Sequence, residues 1–303
     1  MLLAFDLTAH AQTDSARVDR LFMWATAGDI RFAAGVQPAK DSLAAMGPVA
    51  ARWLAFKLRT SDARERRALS EIFQKIGPVA TPYLVPCLDS SGEDMPANTA
   101  NALGLIGDTA AVEPLIAHLG HREHRVRSEV ATALGKTKDK RAVDSLIVTL
   151  QTDDDSDVRK SAAVALGSIG DSSAAPALVR ALEDPFYGVR LSAQRSLTRL
   201  VPPPSGLLID AISVLSGAAR YCAVVALGGC PDAAAHKTLL HFLGSPDPYE
   251  RGFAIEGLAI HPSQQERKRV DALKRKEKDP FVRAQMERLE RRAEANQDRK
   301  REK

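Results

Sequence analysis

The 303 residues carry 42 Lys or Arg against 38 Asp or Glu and are 45% hydrophobic but only 5% aromatic. This composition excludes collagen, a disulfide scaffold and a disordered tail, and leaves a chain long enough for one or two cores. Charges, Gly or Pro interrupt every apolar run before it reaches the eighteen or more residues of a membrane helix. Ala and Leu are frequent and β-branched and aromatic residues sparse, so an all-α fold is expected.

Met1 to Ala11 reads MLLAFDLTAHA. Asp6 breaks its apolar run and no basic segment precedes it, so it does not read as a signal peptide. A cytoplasmic location is expected, with an exported, periplasmic one as the alternative if the true start lies upstream of Met1. Asp14 to Ala27 then reads as an amphipathic capping helix with Val18, Leu21 and Phe22 on one side, and residues 1–34 form the N-terminal segment.

From residue 35 the chain repeats itself. Val126-Arg127, Val158-Arg159, Val189-Arg190, Ala219-Arg220, Glu250-Arg251 and Val282-Arg283 follow at intervals of 32, 31, 30, 31 and 32 residues. Met95-Pro96, Glu65-Arg66 and Gly35-Val36 extend the ladder backwards at 31, 30 and 30. The period gives eight full units and a half unit. Eight residues into each unit stands Leu43, Phe73, Leu103, Leu134, Leu166, Leu197, Leu227 or Leu258, the expected buried ridge of a first helix, A. A turn such as Gly77-Pro78, Gly107-Asp108 or Gly170-Asp171 follows, then a second helix, B, with leucines at i and i+4: Leu54 and Leu58, Leu84 and Leu88, Leu115 and Leu119, Leu178 and Leu182. One such pair of helices cannot bury its apolar face alone, so the units must stack as a solenoid. Two units deviate, with Lys136-Thr137-Lys138-Asp139 in place of the glycine turn and Val201-Pro202-Pro203-Pro204 where another belongs; a change of curvature is expected near residue 203.

Segments such as VRKSAAVALGSIGDSSAAPALVRAL, Val158 to Leu182, resemble HEAT repeats of the bacterial, phycobilisome-lyase type. The resemblance covers roughly residues 35 to 295. It implies a right-handed α-solenoid over 35–296, with a charged tail at 297–303, and it implies that each ladder arginine (Arg66, Arg127, Arg159, Arg190, Arg220, Arg251, Arg283) reaches the aspartate of an A-to-B turn, Asp108, Asp139, Asp171 or Asp232. The same family includes protein-binding scaffolds, bilin lyases, a di-iron hydroxylase and DNA glycosylases.

Motifs for chemistry are few. None of the seven histidines precedes Glu, so the His-Glu pairs of the hydroxylase members are missing. No phosphate-binding loop or nucleophile elbow occurs. His118, His121 and His124 have a spacing that suits zinc, but Gly120 ends the helix between them. Asp153, Asp155 and Asp157 mimic a calcium loop, yet Val158 and Val164 occupy its glycine and glutamate places, and helix capping explains the carboxylates. Cys87, Cys222 and Cys230 read as small apolar fillers. Residues 264 to 303 hold fifteen basic and nine acidic residues, net +6, leaving the body at net −2; the end reads as capping helices or a docking surface for an acidic partner.

The expectation is a non-enzymatic, monomeric scaffold that binds an unidentified protein, with no catalytic residue, cofactor or metal and no nucleic-acid role. A bilin-lyase-like protein, another HEAT-like enzyme or chaperone, or a weak nucleic-acid binder through the basic C-terminus is the alternative. The expected partner surface is Arg52, Trp53, Phe56 and Lys57 on one B helix with Tyr83 on the next, on the concave face that the resemblance to HEAT solenoids implies the B helices line; packing of the same rings between repeats is the competing explanation.

Overall fold

A computed structural model describes residues 2–28, 31, 33–260 and 264–301. No β-strand occurs among them; one isolated bridge joins Asp171 to Val201, where the Val201 amide donates to the Gly170 carbonyl at 2.9 Å. The architecture is an all-α solenoid of paired helices, and the A helices follow the expected period: Ala33–Ala45, Ala63–Ile76, Asp94–Ile106, His124–Thr137, Ser156–Ile169, Tyr187–Leu197, Gly217–Leu227, Pro248–Leu258 and Pro280–Arg301. The packing divides the chain into two compact units, Met1–Ser145 and Leu146–Lys303, with the division inside helix Val143–Thr152.

The ridge leucines carry the core as their spacing predicts. Leu43, Phe73, Leu103, Leu134, Leu166, Leu197, Leu227 and Leu258 are buried, as are Leu54, Leu58, Leu84, Leu88, Leu115, Leu146, Leu178 and Leu239 of the B layer. The three cysteines are free thiols; Cys87 and Cys230 are buried, and burial pushes the Cys230 thiol up to about 11.

B helices are less regular than A helices. Those at Val112–Ala117 and Ala175–Arg180 open on 3-10 turns, Thr109–Ala111 and Ser172–Ala174, and others close on them, as at Ala55–Arg59 and Val85–Asp89. Each opening turn is fixed by a capping aspartate: Asp108 accepts from the Ala110 amide at 3.0 Å, Asp139 from Arg141 at 2.9 Å and Asp171 from Ser173 at 3.0 Å.

Successive A helices approach closely through small residues. A Cβ on Gly167 would stand 2.7 Å from Cα of Ser196 on the next A helix, closer than any real contact. The Ser196 hydroxyl in turn donates to the Ala163 carbonyl at 2.8 Å, so the two helices touch backbone to side chain.

The N-terminal cap begins earlier than its sequence pattern predicts. Helix Leu2–Ala25 runs well upstream of Asp14 and packs on Ala33–Ala45, burying Val18, Phe22 and Ala25 while Leu21 stays half-buried. The apolar pattern marked Val18 and Phe22, which are buried, and did not locate the helix start.

Where neighbouring A helices end on Gly107 and Gly170 in the left-handed region, the fourth ends on Lys138 at φ 56°. A side chain there costs about 1 kcal/mol because its Cβ crowds the carbonyl. Lys138→Gly is expected to raise stability by about 1 kcal/mol in urea denaturation; an unchanged or lower midpoint would mean that the side chain contributes more than the strain removes.

Candidate functional site

The ladder arginines lie just inside the A helices, and their guanidinium groups turn back to the loop that precedes their own helix. Arg159 donates to the carbonyls of Asp153 at 2.9 Å and Asp154 at 3.2 Å, Arg190 to Asp184 at 2.7 Å and Pro185 at 3.0 Å, and Arg251 to Ser245 at 2.9 Å and Pro246 at 3.1 Å. Arg127 makes the same contact with His121 and Arg122 in the N-terminal unit. A second edge of the fork reaches forward. Arg159 grips Asp184 at 2.8 and 3.1 Å, Arg251 grips Glu277 at 2.8 and 3.0 Å, and Arg220 meets Glu250 at 2.8 Å. This corrects the expected pairing: the arginines serve the loops between repeats, while the A-to-B turn aspartates cap the following helix. A planar fork with five donors satisfies two carbonyls and a carboxylate at once, which lysine cannot.

Clefts open at the C-terminal ends of the B helices, beside these loops. One of about 590 Å³ is bounded by Leu150, Ala177, Arg180 and Phe186, with Arg159 at its base, its guanidinium carbon 5.4 Å from the Phe186 ring centre. Another of about 470 Å³ lies between Ile212 and Phe242, with Arg220 5.5 Å from the Phe242 ring centre. In the N-terminal unit a cleft of about 630 Å³ is bounded by Phe22 and Met23 of the cap and by Phe56, Lys57 and Arg59.

This last cleft takes in two of the five expected partner residues. Phe56 is 61% exposed. Lys57 lies 5.1 Å from the Phe22 ring centre and pairs with Asp19 at 2.8 Å. Arg52 and Trp53 pair with each other instead, the guanidinium 5.7 Å from the indole, Arg52 exposed and Trp53 half-buried. Tyr83, 37% exposed, sits on Thr81–Leu84, which packs against Pro48–Leu54.

The histidines go separate ways. His118 contacts the Pro114 carbonyl at 2.7 Å and Asp89 at 3.1 Å, while His121 accepts from the Glu123 amide at 3.1 Å. Asp155 caps its helix by accepting from the amides of Asp157 and Val158. Among the described residues no group of three or more His, Cys, Asp or Glu is arranged to hold a metal ion.

An aromatic cluster on the A layer of the C-terminal unit escaped the sequence reading. Tyr221 stacks on Phe253 at 5.1 Å and on Tyr249 at 5.8 Å, and Phe281 lies 5.3 Å from both Phe253 and Tyr249. Gly252 makes room, since a Cβ there would stand 2.3 Å from the Phe281 ring. The Tyr221 hydroxyl donates to Asp247 at 2.8 Å; burial and this carboxylate push it up to about 12. All four rings stand within two residues of a ladder arginine, a periodic signal that the sequence contains.

With this geometry in place, comparison with known proteins shows what the repeats resemble. Residues 81–167, 119–198 and 145–219 match HEAT repeats. Residues 81–219 are thus a run of HEAT repeats. Over 121 residues it is 34% identical to phycocyanobilin lyase subunit alpha of Nostoc sp. PCC 7120, a match covering 37% of this chain and 41% of the relative. Over 98 residues it is 38% identical to deoxyhypusine hydroxylase-B of Oryza sativa subsp. japonica, 32% of each. The chain thus spans less than half the length of either relative. Among solved structures, the CpcE–CpcF complex of phycocyanin lyase from Nostoc sp. PCC7120 aligns at 24% identity and TM-score 0.41 over 80% of this chain and 94% of that one. The archaeal HEAT-like repeat protein of Thermococcus onnurineus NA1 aligns at 18% and 0.43 over 72% and 98%.

Both curated relatives bear the names of enzymes, which overturns the expectation of a non-enzymatic scaffold. The expectation rested on missing nucleophile and metal motifs.

The ladder has a pH signature. Hydrogen bonds from Arg251 hold the Glu277 carboxyl below the usual carboxylate range, against its burial. A lowered native value stabilises the fold above that range, and the contribution disappears as pH falls through the native value. Glu277→Gln is expected to cost about 1–3 kcal/mol at pH 7 and to flatten the loss of stability between about pH 5 and pH 3 in urea titrations; an acid profile as steep as that of the unaltered protein would assign that loss to other carboxylates.

Proposed function

We propose that this protein is lyase-like: it holds a flat conjugated chromophore and an acceptor protein on its helical surface and promotes their joining. The observation that carries the reading is the 34% identity with a phycocyanobilin lyase subunit over 121 residues. The hydroxylase relative is the weaker guide, because no histidine of this chain is followed by Glu.

The cleft of about 630 Å³ has the chemistry for such a ligand, within the range of small-molecule sites. Phe22, Phe56 and Met23 offer apolar faces to a conjugated ring system, and Lys57 and Arg59 offer cations to its carboxylates. Arg52, Trp53 and Tyr83, on the adjoining B segments, are the proposed acceptor contacts. Trp, Tyr and Arg are the side chains that most often dominate protein interfaces.

The test is to incubate the full chain with phycocyanobilin and an acceptor subunit, alone and with a second lyase subunit, and to follow bilin absorbance and covalent colour on denaturing gels. Bilin binding or a coloured adduct is expected, reduced at least tenfold in the Phe56→Ala, Lys57→Glu double variant with an unchanged melting temperature. Neither binding nor adduct under any of these conditions would contradict the lyase reading.

A further inference from the structure

Among Arg159, Arg190, Arg220 and Arg251 of the C-terminal unit, one rung of the arginine ladder is unfilled. Arg159, Arg220 and Arg251 each meet a carboxylate from further along the chain, 25, 30 and 26 residues on. Arg190, set between the first two, is held by the same pair of loop carbonyls, those of Asp184 and Pro185. At the corresponding distances ahead of it stand Leu215, Ser216 and Arg220, none of which is acidic. Asp184 itself is already committed to Arg159. The consequence is visible at the atom: Nε of Arg190 is buried and has no acceptor from the protein. A buried donor left without an acceptor is costly, and more so when it belongs to a charged group.

The surroundings indicate what would fill the rung. The guanidinium carbon lies 5.8 Å from the centre of the Tyr187 ring, and Tyr187 and Phe186 are 66% and 53% exposed. Nη1 of Arg190 is held by two loop carbonyls, as in Arg159 and Arg251, so the protein orients the guanidinium before any carboxylate arrives. We infer that Arg190 anchors a carboxylate borne by a flat unsaturated molecule from outside the chain, the carboxylate on the fork and the flat body against the exposed rings of Phe186 and Tyr187. The assignment rests on the ladder alone and stands independently of the lyase reading.

The test uses the full chain with ¹⁵N-labelled arginine side chains, observing the Nε–H resonances at constant ionic strength. Sodium benzoate is the probe, benzamide its uncharged counterpart and sodium chloride the ion control. The Arg190 resonance, identified by its loss in Arg190→Gln, is expected to shift saturably with benzoate and not with benzamide, while those of Arg159 and Arg251 stay in place. Arg190→Lys keeps the charge without the fork and is expected to weaken benzoate binding at least tenfold, read as the benzoate-dependent rise in melting temperature. A parallel titration with phycocyanobilin, read at Arg59 of the N-terminal cleft, separates the two proposals: an Arg190 response to benzoate with no Arg59 response to the bilin supports the anchor and counts against the lyase reading. An unmoved Arg190, a shift shared by all arginines, or an equal response to chloride, meaning an adventitious ion only, would overturn the anchor.

Discussion

A stack of short helix pairs must close a loop between every pair of repeats, and each loop turns backbone carbonyls away from helical partners. The ladder arginine supplies the missing donors. In Arg159 and Arg251 one fork binds two carbonyls of its own loop and the carboxylate of the next, so loop closure and repeat-to-repeat stacking depend on a single side chain. Small residues then let the A helices approach, as Gly167 does against Ser196. The B helices, capped by aspartates and ending in 3-10 turns, leave clefts at their C-terminal ends beside the same loops. Within each unit, structure and candidate chemistry therefore meet at the loops between repeats.

Most of the fold was legible because repetition averages out local noise. The ridge positions from Leu43 to Leu258 are buried as the period demands, and the glycine turns at Gly107 and Gly170 take positive φ as their residue type suggests. The ladder's partners were not legible. Asp139 and Asp171 stood at the right spacing to receive a ladder arginine, but an aspartate at the entry to a helix is first claimed by the amides two residues on, and Asp139 also by the guanidinium of Arg141. Only the folded loops show that Asp184 and Glu277, unremarkable in the sequence, are the acceptors.

The functional surface was less legible still. Phe56 and Lys57 emerged from helical spacing, but the cleft that joins them to Phe22 and Met23 depends on where the cap helix docks, which no spacing encodes. The rings of Tyr221, Tyr249, Phe253 and Phe281 come from three A helices and meet only when the repeats stack. The likeness to proteins that bear enzyme names came from stretches of 121 and 98 residues and not from any short motif, so a search for nucleophiles and metal ligands passed over it.

The central claim, that the ladder couples one repeat to the next, is tested most directly by a double-mutant cycle on Arg159 and Asp184 in urea denaturation. Arg159→Ala, Asp184→Ala and the double variant isolate the pair's own energy from the effects of each truncation. A coupling of about 1–3 kcal/mol is expected for a pair in which both side chains are about one-tenth exposed. A coupling below about 0.5 kcal/mol, the level at which independent sites add, would contradict the claim and leave stacking to the leucine ridges alone.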